Sequence, residues 1–186
     1  MSNKYHGEDL QAWRNSAGFS PDTIFRHFTL YHSYESGGCI WLMDGLRPDA
    51  SDYCDLVDIA RIWASEGKEI FILAPVHFKD PLYSIIYGSL AMTRFFRKCP
   101  DLLVDGNFYE YESFRSPWSK KKISHMLKQG YKQSSRLIVN NNKGGSHRFY
   151  RSRIHARIAA SSDIEELWIY ERGDLVQIYK RNRETR

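Results

Sequence analysis

Disulfide frameworks and zinc sites need cysteines in pairs. This chain has three, Cys39, Cys54 and Cys99, with no CxxC or CxxH spacing. An odd, unpatterned set implies reduced thiols in a cytoplasmic protein. Each thiol is expected as a small buried structural side chain. Long apolar runs are also missing: none approaches the ~20 residues that a bilayer span needs. The opening stretch, MSNKYHGEDLQAWRNSAGFS, is polar and lacks the apolar segment of a signal peptide. The expectation is a soluble protein with no membrane partner.

The most informative absence is of acid. From Arg115 to Arg157 the chain has twelve Lys or Arg residues and no Asp or Glu. Of its 27 basic residues, fifteen remain outside that stretch, against 22 acidic ones. A basic third on an otherwise acidic protein is not the interspersed pattern that solubility favours. It is the field that attracts a polyanion, most commonly a phosphate backbone. The alternative is a solvated basic face with no partner. Twelve Tyr and ten Phe suit either a packed core or a base-stacking surface.

At 186 residues the chain is most simply one domain. TIFRHFTLYHS and GGCIWLMD read as two strands joined by a YESGG turn. A helix is expected to start around Asp49 and Ser51, to bury Leu56, Ile59, Ala60, Trp63 and Ala64, and to stop at Gly67. EIFILAP reads as a short buried strand. DPLYSIIYGSLAMTRFFRK reads as a helix opened by Pro81, despite Gly88. CPDLLVDGNFYEYESF makes a hairpin about Asp105-Gly106. SKKKISHMLKQGYKQ reads as a basic amphipathic helix on Ile123, Met126 and Leu127. SRLIVNN is a core strand, GGSHRFYRSRIHARIAA a second basic helix and EELWIYERGDLVQIYKR a closing hairpin. The fold class is α+β: a single domain whose central, mainly antiparallel sheet is flanked by helices. Residues 1–50 form an N-terminal extension with a β-hairpin, packed on a core of residues 51–186.

Two groups of residues carry candidate chemistry. Glu110 and Glu112 are two apart on one strand and share a face, with Tyr109 and Tyr111 pointing the other way. They are either a structural ion-paired face or the acidic half of a site whose other half is basic. On a helix starting near Ser146, His147, Arg151 and His155 recur every four residues and share a face. Arg148 is three residues before Arg151, and Gly144 and Gly145 leave room for backbone amides to approach a phosphate. The plain alternative is a surface stripe. Lys120, Lys121 and Lys122 stand at a helix start, where the dipole disfavours cations, which strengthens a phosphate-binding reading. Trp118 either stacks on a base or staples that helix. Arg153, and Lys180 with Arg181 at the end of the last strand, extend the basic set.

The order of elements, with CPDLLVDGNFYEYES, then a basic helix, then Gln133-Ser134-Ser135-Arg136-Leu137-Ile138-Val139, resembles the C-terminal tRNA-nuclease domains of contact-dependent growth-inhibition toxins. These belong to the barnase–EndoU–colicin–RelE (BECR) superfamily. The resemblance covers roughly residues 55–180, and Glu112 stands where that family often has lysine. It implies a BECR-like nuclease core in residues 51–186, a toxin-type ribonuclease acting on tRNA or another structured RNA, and an immunity protein as partner.

Such metal-independent enzymes have the 2′-hydroxyl attack the adjacent phosphate. They need a base, an acid and cations on the phosphorane oxygens. His147 with His155 or Glu112 is expected to share proton transfer. Arg148, Arg151 and Lys122 are expected on phosphate, with Lys120, Lys121, Arg153 and Lys180 as further nucleic-acid contacts and no cofactor. A rival pattern is that of metal-dependent PD-(D/E)xK nucleases, in which Asp101 and Glu110 would hold Mg²⁺. Glu112 again occupies the lysine position there. A third reading is a non-catalytic nucleic-acid-binding protein of a mobile element. Asp101 and Asp105 also have a purely structural explanation as turn residues.

Overall fold

The computed structural model describes residues 25–114, 116–159 and 163–182. The polar N-terminal stretch and Arg115 lie outside the described residues. The chain forms two compact units, residues 1–108 and 109–186. Both mix helices and strands, and the α+β class expected from the sequence is what the structure has. Among the described residues no helix is long and apolar enough to cross a membrane.

In the first unit, β1 (Phe28–Ser33) and β2 (Cys39–Met43) pair antiparallel through the expected turn, where the Tyr34 amide donates to the Gly38 carbonyl at 2.8 Å. Helix α1 (Tyr53–Ser65) buries Leu56, Ile59, Ala60, Trp63 and Ala64, the face its 3.6-residue period marks. It ends where Gly67 takes φ +91°. As a crossover, α1 lets β3 (Glu69–Ile72) run parallel to β2. The hairpin assigned by sequence to an extension ending at residue 50 thus shares a sheet with β3. β4 (Leu102–Val104) pairs antiparallel with β3. The helix expected from Pro81 is shorter than its pattern. Helix α2 (Pro81–Tyr87), capped by Asp80 Oδ1 accepting from the Leu82 amide at 2.9 Å, gives way at Gly88 to a 3₁₀ turn and then to successive turns. Gly88 costs a helix interior about 1 kcal/mol, enough to end a helix this short.

Asp105 and Gly106 both have positive φ, +46° and +81°, as a two-residue I′ turn requires between β4 and β5 (Asn107–Glu112). Asp105 Oδ1 accepts from the Glu69 amide at 2.9 Å, which confirms its structural role as a turn residue. The three cysteines are free as expected, but none is fully buried: Cys54 is exposed, because it lies on the solvent side of α1.

The second unit continues with α3 (Lys120–Gly130), β6 (Arg136–Asn140), α4 (His147–Ile158), β7 (Glu166–Glu171) and β8 (Asp174–Lys180). Antiparallel pairing is found at β7–β8, across a tight Arg172-Gly173 turn. β5–β6 and β6–β7 are parallel, because α3 and α4 act as crossovers. Ile123, Met126 and Leu127 of α3 and Tyr150 and Ile154 of α4 bury against Leu137, Val139, Leu167 and Ile169 on one sheet face. Trp118 joins this cluster, its ring 6.5 Å from Phe149. The staple role therefore prevails over the stacking one.

A β-carbon at Gly38 would stand 1.9 Å from the Ala64 carbonyl oxygen and 2.8 Å from that of Lys68. Both obstacles are backbone and cannot rotate away. Gly38→Ala is expected to destabilise the fold by about 3 kcal/mol or more, read as a lowered urea midpoint.

Candidate functional site

The parallel order of β5, β6 and β7 decides where chemistry can gather. Glu112 pairs with Val139, and Val139 with Ile169, so their side chains share the sheet face that carries the helices. Two residues beyond Val139 and Ile169 stand Asn141 and Glu171. The carboxyl ends of the strands also lead into α3 and α4, so both helix N-termini lie at this rim. In open α/β sheets that is where ligands bind.

Asn141 is fully buried and uses its whole carboxamide. Its Nδ2 donates to the Gly145 carbonyl at 2.8 Å and to Glu171 Oε2 at 2.9 Å. Its Oδ1 accepts from the Gly145 amide at 2.7 Å and from the Tyr150 hydroxyl at 3.1 Å. Gly145 is required for this approach, since a β-carbon there would lie 2.6 Å from Asn141 Oδ1. Glu171 Oε2 also meets His147 Nε2 at 2.8 Å. The hydrogen bonds from Asn141 and then His147 hold the Glu171 carboxyl below its usual range. An ionised carboxylate can only accept, so Nε2 carries the proton and Nδ1 remains for a substrate. Burial, followed by the Glu171 charge, pushes the Tyr150 hydroxyl well up, so it stays a donor.

A cleft of about 610 Å³ opens at the N-terminus of α3, with walls that include Glu112, Phe114, Ser119, Lys121, Lys122 and His125; none of Asn141, His147, Tyr150 and Glu171 lines it. Ser119 caps α3, its hydroxyl accepting from the Lys122 amide at 3.2 Å. The Lys122 ammonium reaches back to Ser116 Oγ at 2.6 Å and the Pro117 carbonyl at 2.9 Å. Lys120 is exposed at the first position of α3.

The expected residues thus divide. His147, Glu112, Lys120, Lys121 and Lys122 are at one rim of the second unit. Arg148, Arg151 and His155 are exposed along α4 at the expected four-residue spacing. His155 is two turns from His147, about 12 Å along the axis, beyond the reach of one phosphodiester. Arg153 lies over the Phe149 ring at 4.9 Å.

Two expectations are corrected. Lys180 pairs with Glu166, at the opposite end of β7 and on the opposite sheet face, so it does not extend this patch. Arg181 beside it donates through Nε to the Ile164 carbonyl at 2.9 Å. The Gly144 and Gly145 amides are not open to a phosphate, because both donate to Asn141.

For the alternative metal site, Asp101 falls in the first unit, just before β4, and Glu110 is buried within β5 at 9% exposure. Among the described residues no three His, Cys, Asp or Glu side chains are grouped to hold a metal ion.

Sequence reasoning missed Asn141, Glu171 and His125. His125 was legible in principle, four residues after Lys121 on the same face of α3. The other two were not, because their partners are distant in sequence. Comparison with protein families, curated proteins and solved structures finds no match.

Two outcomes follow from the hydrogen bonds. Asn141→Ala strands the buried Gly145 amide and Tyr150 hydroxyl and is expected to cost about 3 kcal/mol. Asn142→Ala, whose Oδ1 accepts one exposed bond from the Arg172 amide, should cost under ~1 kcal/mol in the same urea titrations. The Glu171 contribution has a defined sign. Its folded pKa lies below the ordinary value of 4.5, so its stabilisation is complete above that value and disappears as pH falls through the folded one. Stability measured downward from pH 5 should therefore fall less steeply in Glu171→Gln than in the parent.

Proposed function

We propose that this protein is a metal-independent ribonuclease of toxin type, acting on tRNA or another structured RNA. The observation that carries this reading is the 2.8 Å His147–Glu171 hydrogen bond. Glu171 is anchored by the buried Asn141, and His147 belongs to the stretch from Arg115 to Arg157 that is rich in cations and free of acids. The resemblance of the segment around Glu110 and Glu112 to growth-inhibition toxin nucleases supports the same reading.

In this mechanism Glu112 accepts the 2′-hydroxyl proton as the 2′-oxygen bonds to phosphorus. His147, protonated on both nitrogens, donates one N–H to Glu171 and gives the other proton to the departing 5′-oxygen. The P–O5′ bond breaks, leaving a 2′,3′-cyclic phosphate and a 5′-hydroxyl. Lys121 and Lys122 face the phosphorane oxygens across the cleft, while Arg148, Arg151 and His155 hold flanking phosphates along α4.

The test is cleavage of total bacterial RNA in EDTA, with analysis of the fragment ends. EDTA-resistant cutting that leaves cyclic phosphates is expected. His147→Ala should lower turnover by about a hundredfold or more. Arg151→Ala should weaken RNA affinity and make it less salt-dependent. Unchanged turnover in His147→Ala sinks the assignment. Cutting that requires Mg²⁺ transfers it to the Asp101–Glu110 reading, and salt-sensitive binding without cutting to a non-catalytic binder.

A further inference from the structure

The cleft at the N-terminus of α3 is larger than the contact of two lysines with a phosphate requires. Its 610 Å³ falls in the range of about 300–1,000 Å³ that holds a whole small ligand. It lies wholly within the second unit, between the chain that leaves β5 and one side of α3. On α3, Lys121, His125 and Gln129 recur every four residues and form one stripe along the cleft. Met126, 5% exposed, stands beside them, and the chain after β5 brings in the half-buried ring of Phe114. The Lys122 ammonium fastens that chain to the helix through Ser116 and Pro117.

The polar side of the cleft has a defined sense. Gln129 Oε1 accepts from the Lys132 ammonium at 3.0 Å, which turns the amide nitrogen towards His125. Gln129 Nε2 meets His125 Nε2 at 3.4 Å. A carboxamide nitrogen can only donate, so His125 Nε2 accepts and its Nδ1 carries the ring hydrogen. Two donors remain for a ligand: the second Nε2 hydrogen of Gln129 and the Nδ1–H of His125. An exocyclic amine set against them would be donor against donor, whereas a ring carbonyl accepts from either. Guanine presents O6 beside N7, and uracil, like thymine, presents O4; adenine and cytosine present amino groups at the same places.

We propose that this cleft is a pocket for one nucleotide whose base carries an oxo group, guanine or uracil. The base lies against Phe114 and Met126, and its carbonyl accepts from His125 and Gln129. Its phosphate meets Lys121, eight residues and about 12 Å back along the axis of α3. The proposal rests on the ribonuclease reading, and it names the nucleotide on the 5′ side of the cut. A base held here brings its 2′-hydroxyl to Glu112, which lines the same cleft. An acidic peptide would satisfy the donors and Lys121 but would leave the aromatic and thioether wall without a ring to pack on it.

The test is calorimetric titration of the full chain with inosine 3′-monophosphate and adenosine 3′-monophosphate, whose bases differ in a 6-oxo against a 6-amino group. The inosine nucleotide should bind about tenfold tighter or more. Ribose 5-phosphate, which has no base, should bind far more weakly than it. Gln129→Glu replaces the donor by an acceptor of the same size and should abolish the preference, read as the ratio of the two affinities. Phe114→Leu, which keeps the apolar packing, should weaken both nucleotides by about tenfold without changing that ratio. Equal affinity for the two nucleotides overturns the proposal, as does ribose 5-phosphate binding as tightly as the inosine nucleotide, or a preference that survives Gln129→Glu. The fragment ends of digested RNA keep this proposal apart from the reading it rests on. Cyclic phosphates should stand on guanosine and uridine. Their equal occurrence on all four nucleosides overturns the pocket and leaves the ribonuclease. Inosine-selective binding without any cutting supports the pocket and overturns the ribonuclease reading.

Discussion

A carboxamide has two donors and two acceptor sites, and Asn141 fills all four while fully buried. A half-satisfied polar group in that position would cost more than an apolar one, so the network is stable only when complete. Its completeness constrains everything near it. Gly145 must lack a side chain, the 142–145 turn must return its backbone to the strand end, and Tyr150 must present its hydroxyl from the first turn of α4. Glu171 must arrive from β7 at the same level. His147 is oriented as a consequence. The imidazole is half-exposed, yet its carboxylate partner is held from the other side by a group with no freedom left.

The opposite ends of the same strands carry a different kind of constraint. There Arg136 pairs with Glu165 and Glu166. Glu166 also accepts from the Tyr109 hydroxyl at 3.1 Å and the Trp168 indole at 2.8 Å. A cluster of this type fixes register, because a slip of one residue would send each partner to the other face. Parallel strands have no tight turn to set their alignment, so a polar clamp at each end of β6–β7 takes that role. One clamp is closed, with aromatic donors around its charges. The other opens onto solvent through the half-exposed His147.

The sequence showed the elements better than their relations. Periodicity located α1 and α3, and the Asp105-Gly106 and Gly67 signals fell where the backbone turns. Alternation of side chains put Glu110 and Glu112 on one face and Tyr109 and Tyr111 on the other. A period of two is the same in parallel and antiparallel strands, so it could not reveal that α3 and α4 are crossovers. That one fact moved Lys180 from the basic patch to the far rim. Asn141 read as the last residue of the core strand SRLIVNN, and Glu171 as part of the closing hairpin. Their roles depend on contacts about 30 residues apart in sequence, which no local pattern encodes. The glycine pair was read as room for backbone amides to approach a phosphate, whereas both amides donate to Asn141 and Gly145 lacks the β-carbon that would strike it.

The use of charge differs along the chain. Over residues 47–68, cations meet nearby acids: Arg47 with Asp49, Arg61 with Asp58 and Lys68 with Glu66. Such pairs contribute little to stability, but they cancel the local field. From Arg115 to Arg157 no acid is available locally. Arg136 and Arg157 have structural partners, the latter donating to the Ser124 carbonyl at 2.9 Å. Lys120, Arg148 and Arg151 remain exposed on the helices. At physiological salt the screening length is about 8 Å, longer than the ~5.4 Å between successive turns of α4. Neighbouring cations there repel with little relief, a persistent cost to the folded state. A polyanion on α4 would reverse the sign of that term, so the same residues that weaken the free protein would stabilise the complex.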